Sequence, residues 1–89
     1  RFFTLLAKDP NKAAYGEQEV RRVLELGAVD ILLLSEDYDD KKMQEFESLA
    51  QAIGTTLQLI STDTKEGEQL RDLGGIAAIL RFAVGNYEW

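Results

Sequence analysis

Three features of this sequence invite a chemical role. They are the acidic stretch Glu36-Asp37-Tyr38-Asp39-Asp40, the serines Ser35, Ser48 and Ser61, and the pair Gly74-Gly75. The acidic stretch resembles the start of an EF-hand loop. A loop beginning at Asp37 would need an oxygen ligand at position 41 and glycine at 42, and both are lysine. That leaves a solvated loop whose carboxylates favour the N-terminus of a following helix. None of the serines stands in a G-x-S-x-G context, so a nucleophile elbow is unsupported. Gly74-Gly75 belongs to neither a GxxxxGK[ST] nor a GxGxxG phosphate loop. A glycine pair behind an amphipathic helix serves instead to end it in the left-handed conformation.

What the chain lacks narrows the chemistry further. It has no histidine and no cysteine, which removes the commonest general base, the commonest transition-metal ligand, disulfides and thiolate chemistry. Sixteen acidic residues allow carboxylate pairs, but nothing predicts a desolvated one. The chain therefore reads as a non-enzyme, with no cofactor and no metal. Its net charge of −6, from 10 basic and 16 acidic residues, repels phosphate, and the basic residues are scattered, so independent nucleic-acid binding is not expected. No apolar run approaches the ~20 residues that cross a bilayer, so no membrane partner is expected. The opening RFFTLLAKDP is too short for a signal peptide's apolar region, and a cytoplasmic protein is expected.

Protein binding remains. The candidate aromatics are Phe2, Phe3, Tyr15, Phe82, Tyr87 and Trp89. Adjacent Phe2 and Phe3 cannot both face one core from a helix, and exposed aromatics on a small domain point to a protein interface.

The elements that must position these residues follow from the spacing of apolar side chains. Eighty-nine residues make one domain. Phe2, Phe3, Leu5 and Leu6 predict a helix stopped at Asp9-Pro10-Asn11. KAAYG is a short strand ending at Gly16. EQEVRRVLEL is a helix with Val20, Val23, Leu24 and Gly27 on one face, Gly27 also capping its end. VDILLLS reads as a strand buried on both faces. From Met43, the residues Phe46, Leu49, Ala50 and Ile53 predict a helix closed by Gly54. TLQLIS is a strand. TDTKEGEQLRDL is a helix capped by Ser61 or Thr62, with Leu70 and Leu73 facing inward, and IAAILRF is the last strand. Such alternation predicts an α/β sandwich around a central four-stranded sheet, with functional surface on the loops at strand ends.

AAYGEQEVRRVLELGAVDILLLSE, GTTLQLISTDTKEGEQL and GGIAAILRF, in that order, resemble the C-terminal domain of the archaeal and eukaryotic class I peptide-chain release factors. The homologous domain of Pelota, the ribosome-rescue relative, is the runner-up. The resemblance implies an α/β/α sandwich with a mixed sheet, like the ribosomal proteins that bind kink-turn RNA. It implies an adaptor role: docking a translational GTPase of the elongation factor 1 alpha type, then the ribosome-recycling ATPase, in the context of the ribosome. An RNA-binding module of the same fold is a further alternative, against which the acidic balance weighs. Release-factor catalysis requires Gly-Gly-Gln, whereas Gly74-Gly75 is followed by Ile76.

In family terms the GTPase surface involves the first helix and the neighbourhood of the last strand. The matching positions are Phe2, Phe3, Leu6, Gly74, Gly75, Ile76, Arg81 and Phe82; Leu6, Ile76 and Phe82 suit a core equally well. Family members usually carry a minidomain between the second core strand and the next helix, often with zinc-binding cysteines in archaeal forms. Here SEDYDDKK runs directly into Met43, so residues 1–89 are expected to form a single domain with the minidomain absent near 36–42.

Overall fold

The most continuously apolar segment, Val29–Ser35, forms the interior strand β2, and only Asp30 on it is exposed. The structure, a computed structural model, describes residues 12–81 together with Thr4, Ala7 and Lys8, which are helical. The described elements are β1 (Ala13–Tyr15), α1 (Glu17–Glu25), β2, α2 (Asp40–Ile53), β3 (Thr56–Ile60), α3 (Lys65–Asp72) and β4 (Ile76–Leu80). The strands lie in the order β1-β4-β2-β3. β4 runs antiparallel to both of its neighbours, while β2 and β3 are parallel.

This mixed four-stranded sheet is the expected one, and period-2 alternation splits its side chains between two layers. Leu32 and Leu34 of β2, Ile76, Ala78 and Leu80 of β4, and Ala14 of β1 pack with Val20, Val23 and Leu24 of α1 and with Phe46 and Ala50 of α2. On the opposite face Leu33, Ala77 and Ile79 pack with Leu70 of α3. Phe46 is the largest fully buried side chain among the described residues, and such burial contributes roughly 2–3 kcal/mol. The helices on both faces complete the α/β/α sandwich.

Element ends depart from the sequence expectation where side chains cap backbone. Helix α2 begins at Asp40, not near Met43, because the Asp39 carboxylate accepts the Lys42 N–H at 3.0 Å. Helix α3 is capped by Thr64 rather than Ser61 or Thr62. The Thr64 hydroxyl accepts the Gly67 N–H at 2.9 Å and donates to the Ser61 carbonyl, also at 2.9 Å. Ser61 is thereby committed to a turn ahead of the helix. Gly27 does end α1, its N–H donating to the Leu24 carbonyl at 2.9 Å, but it lies exposed beyond the helix rather than on the buried face.

Two backbone approaches hold the ends of the sheet. Gly67 lies so close to the preceding turn that a Cβ there would sit 1.8 Å from the Ser61 carbonyl oxygen. Beyond β4, the Arg81 guanidinium donates to the Val29 carbonyl at 3.0 Å and the Gly54 carbonyl at 3.2 Å. Its backbone N–H donates to the Ala28 carbonyl. Arg81 thus ties the turns before β2 and after α2 to the end of β4.

Replacing glycine by alanine inside a helix ordinarily gains ~0.5–1 kcal/mol. Gly67→Ala is expected to lose about 1–3 kcal/mol instead, because backbone must move to admit the methyl; chemical denaturation reads the sign. Arg81→Ala is expected to cost about 1–2 kcal/mol, and Arg81→Lys to recover only part of it, since an ammonium lacks the two-pronged donor geometry. Thermal melts of the two variants check that order.

Candidate functional site

The glycine turn between α3 and β4 sits where three elements converge. Gly74 and Gly75 both adopt positive φ, 109° and 82°, the left-handed side of the map that other residues rarely occupy. The Gly75 N–H donates to the Leu70 carbonyl, and its own carbonyl accepts from Ser35 N–H, each at 2.9 Å. A Cβ on Gly75 would lie 2.9 Å from the Tyr38 ring, and one on Gly74 would lie 3.8 Å from Cα of Gly16. Gly16, ahead of α1, donates in turn to the Ile76 carbonyl at 3.1 Å. The pair is therefore a helix-to-strand turn, as its sequence predicts, packed against the loop that follows β2.

The residues expected at a partner surface are distributed unevenly. Gly74 is exposed and Gly75 is buried. Ile76 has no exposed surface at all, which corrects the expectation of a partner contact there: its side chain is core, enclosed on the α1–α2 face of the sheet. Arg81 is exposed but lies at the far end of β4 from the glycine turn, about 17 Å away at the rise of a five-residue strand. The described members of the set thus occupy opposite ends of the sheet rather than one patch. Phe2, Phe3, Leu6 and Phe82, like Tyr87 and Trp89, lie outside the described residues.

Beside the glycine turn, a chain of charges straps α1 to α2. The Lys42 ammonium donates to Glu17 Oε1 at 2.8 Å. Arg21 reaches both Glu17 Oε2, at 3.4 Å, and Glu45 Oε1, at 2.9 Å, with its guanidinium carbon 4.8 Å from the centroid of the Phe46 ring. The hydrogen bond from Lys42 holds the Glu17 carboxyl below the usual carboxylate range, and that from Arg21 does the same for Glu45. Both carboxylates are therefore ionised at neutral pH, and the strap opens only as acid protonates them. Tyr38, whose ring is tilted against Phe46 at a centroid distance of 6.5 Å, has its phenol pushed up by burial first and by the Glu17 charge second.

Sequence reasoning missed this cluster. The i, i+4 spacing of Glu17 and Arg21 is legible. Lys42 and Glu45, however, join it across a strand and a loop, and Tyr38 stands inside a segment read only as a polar break. Among the described residues the exposed large apolar side chains are Tyr15, at 46%, Leu26, at 56%, and Leu59, at 54%. Tyr15 was a candidate aromatic; the two leucines carry no signal, because apolar residues at helix and strand positions read as core.

The arrangement suits binding better than catalysis. The Ser35 hydroxyl donates to Asp37 Oδ1, but Ser35 is fully buried and out of reach of a substrate. The acidic loop is used for structure: Asp39 caps α2, and Glu36 Oε1 accepts the Thr62 N–H at 3.4 Å. Among the described residues no group of three or more His, Cys, Asp or Glu side chains is placed to hold a metal. No helix among them is long and apolar enough to cross a membrane.

Comparison with known proteins gives a consistent result. The family model described as eRF1 domain 3 matches residues 1–84. The chain is 38% identical over 124 residues to peptide chain release factor subunit 1 of Archaeoglobus fulgidus, covering 92% of this chain and 30% of that protein. It is 37% identical over 89 residues to the protein pelota homolog of Methanopyrus kandleri, covering 92% of this chain and 25% of that protein. The chain thus spans less than a third of the length of these curated relatives. Among solved structures it resembles the C-terminal domain of the peptide chain release factor from Methanosarcina mazei, with a TM-score of 0.87, 32% identity, and coverage of 96% of this chain and 80% of that one. It also resembles a chain in a model of ribosome-bound archaeal Pelota and ABCE1, with a TM-score of 0.77, 30% identity, and coverage of 91% and 24%. The chain belongs to the eRF1 domain 3 family, the C-terminal domain common to archaeal release factors and Pelota.

Proposed function

We propose that this chain is a non-catalytic, protein-binding adaptor domain of a cytoplasmic translation factor. It docks a translational GTPase of the elongation factor 1 alpha type and then the ribosome-recycling ATPase. The observation that carries this reading is the family match over residues 1–84, in a chain whose three serines, acidic loop and glycine pair are all used for structure or stand outside any nucleophile motif. The ribosome and an ATPase partner are supported by a structural relative described as ribosome-bound archaeal Pelota with ABCE1. The GTPase partner rests on the family resemblance alone. The docking surface is assigned to the first helix, through Phe2, Phe3 and Leu6, and to the two ends of the last strand, through exposed Gly74 at one and through Arg81 and Phe82 at the other.

A second reading, in which the parent is a Pelota-type rescue factor, is favoured by alignment length. The release factor relative needs 124 positions to cover 92% of this chain, and the Pelota relative needs 89 for the same coverage. The same contrast supports residues 1–89 as one domain without the family minidomain near 36–42. So does the short loop between β2 and the Asp39 cap of α2.

Titration of the chain against a GTP-loaded elongation factor 1 alpha-type protein, and separately against the recycling ATPase, tests the adaptor reading. Saturable binding to at least one is expected. Phe2→Ala or Phe3→Ala should weaken it by ~2 kcal/mol or more, about 30-fold, with an unchanged circular dichroism spectrum. Ile76→Ala should instead lose ~2–5 kcal/mol of folding stability. Binding to neither protein, or unchanged binding by both phenylalanine variants, would overturn the assignment. A gel shift with kink-turn RNA at moderate salt is expected to be negative.

A further inference from the structure

Tyr38 lies where three parts of the fold that are distant in sequence meet. It is half-buried, in the loop between β2 and α2, and its backbone N–H donates to the Ser35 carbonyl at 3.0 Å. Ser35 donates its own N–H to the Gly75 carbonyl at 2.9 Å, so this loop and the glycine turn form one hydrogen-bonded unit. The Tyr38 ring lies against Gly75, where a Cβ would stand 2.9 Å from Cδ1 and 3.4 Å from Cε1. The same ring is tilted against Phe46, over which Arg21 of the strap is placed. The phenol resists ionisation first because it is buried and second because of the Glu17 charge, against which Lys42 acts.

We propose that Tyr38 is a positioning residue for the glycine turn, carrying the state of the charge strap between α1 and α2 to the backbone that presents Gly74. A tyrosine suits this place. Its flat ring fills a slot that a side chain at position 75 would close, and its length brings the hydroxyl toward Glu17 and Lys42. A leucine would leave the slot part empty, and a phenylalanine would fill it without reaching the strap. That the turn so positioned meets a partner rests on the adaptor reading above; the link from strap to turn does not.

The charged groups that face the phenol are Glu17 and Arg21 from α1 and Lys42 from α2. Asp39, at the end of the loop, acts on Lys42, and the turn residues Leu73 to Ile76 bring no charge. With Glu17 ionised, Lys42 and Arg21 are held to it and the phenol stays neutral beside the carboxylate, so the link is intact at neutral pH. It is lost as pH falls through the lowered Glu17 value, and also as pH rises through the raised Tyr38 value, where a phenolate would stand beside Glu17. Glu17 has one other path to the turn: Gly16, before it, donates to the Ile76 carbonyl and lies beside Gly74. That path does not include residue 38, so substitution there separates the two.

The amide resonances of Gly74 and Gly75, followed by NMR on the whole chain, test the link. Glu17→Gln, which imitates the protonated acid, is expected to move both resonances at neutral pH. In a Tyr38→Leu background the same substitution should leave them in place, a double-mutant cycle read at the turn rather than in stability. Tyr38→Phe keeps the ring, so its neutral-pH resonances should match those of the unaltered chain, while the step that the unaltered chain shows in alkali disappears. This variant also decides the matter if circular dichroism finds Tyr38→Leu unfolded. The proposal is overturned if Glu17→Gln moves neither resonance, if it moves them equally with leucine at 38, or if the alkaline step survives in Tyr38→Phe. Under the adaptor reading, Tyr38→Leu should also weaken partner binding about tenfold. Absence of partner binding by the unaltered chain would overturn that reading and leave the resonance test to decide the link.

Discussion

Strand β4 is buried along all five of its residues, on both faces of the sheet. It has strands on both sides, antiparallel to β1 and to β2, so it can bring in no polar side chain, and at each end the connection must be made by backbone. On one side two glycines make the turn, because both take positive φ and the Tyr38 ring leaves almost no room for a side chain on Gly75. On the other, Arg81 is the first residue free to be polar, and it spends its guanidinium on carbonyls left by neighbouring turns. The small side chains Ala77 and Ala78 fit the same constraint, since this strand is packed by helices from both faces.

Most of the fold was legible because it rests on local patterns. The continuous apolar run of β2, the helical spacing of Val20, Val23 and Leu24, and the glycines closing α1 and α2 each follow from a few adjacent residues. What escaped the sequence depends on competition between neighbours. Ser61, Thr62 and Thr64 are all fit to cap α3; Thr64 does so because its hydroxyl bridges the Ser61 carbonyl and the Gly67 amide at once. The polar break after β2 concealed Asp39 as a cap for the same reason, since carboxylates suit both a loop and a helix start.

The candidate site was less legible, because a binding surface is a property of exposure and exposure is decided by packing. Ile76 follows the glycine pair in sequence yet faces the core, whereas Leu59, in a strand that reads as core, faces water. Of the ion pairs that join Glu17, Arg21, Lys42 and Glu45, only Glu17–Arg21 lies within one helix. The rest is assembled by the way α1 and α2 lie together. Family likeness supplied the family and the ground for the proposed role, and the geometry separated the described members of the expected surface into exposed and enclosed.

The strand order has a consequence for how the domain is made. β4 is fourth in the chain but second in the sheet, between β1 and β2. A chain emerging from the N-terminal end can form α1, α2 and the parallel β2–β3 pair early. Until Ile76–Leu80 has emerged, however, β1 has no partner and one edge of β2 stays bare. Vectorial synthesis therefore holds the described sheet open until β4 arrives, and the step that closes it joins residues far apart in the chain, from Leu34 with Ile76 to Ala13 with Ile79. Closure is non-local and is the last pairing among the described strands, so this small domain is most exposed to misassembly just before Ile76–Leu80 emerges.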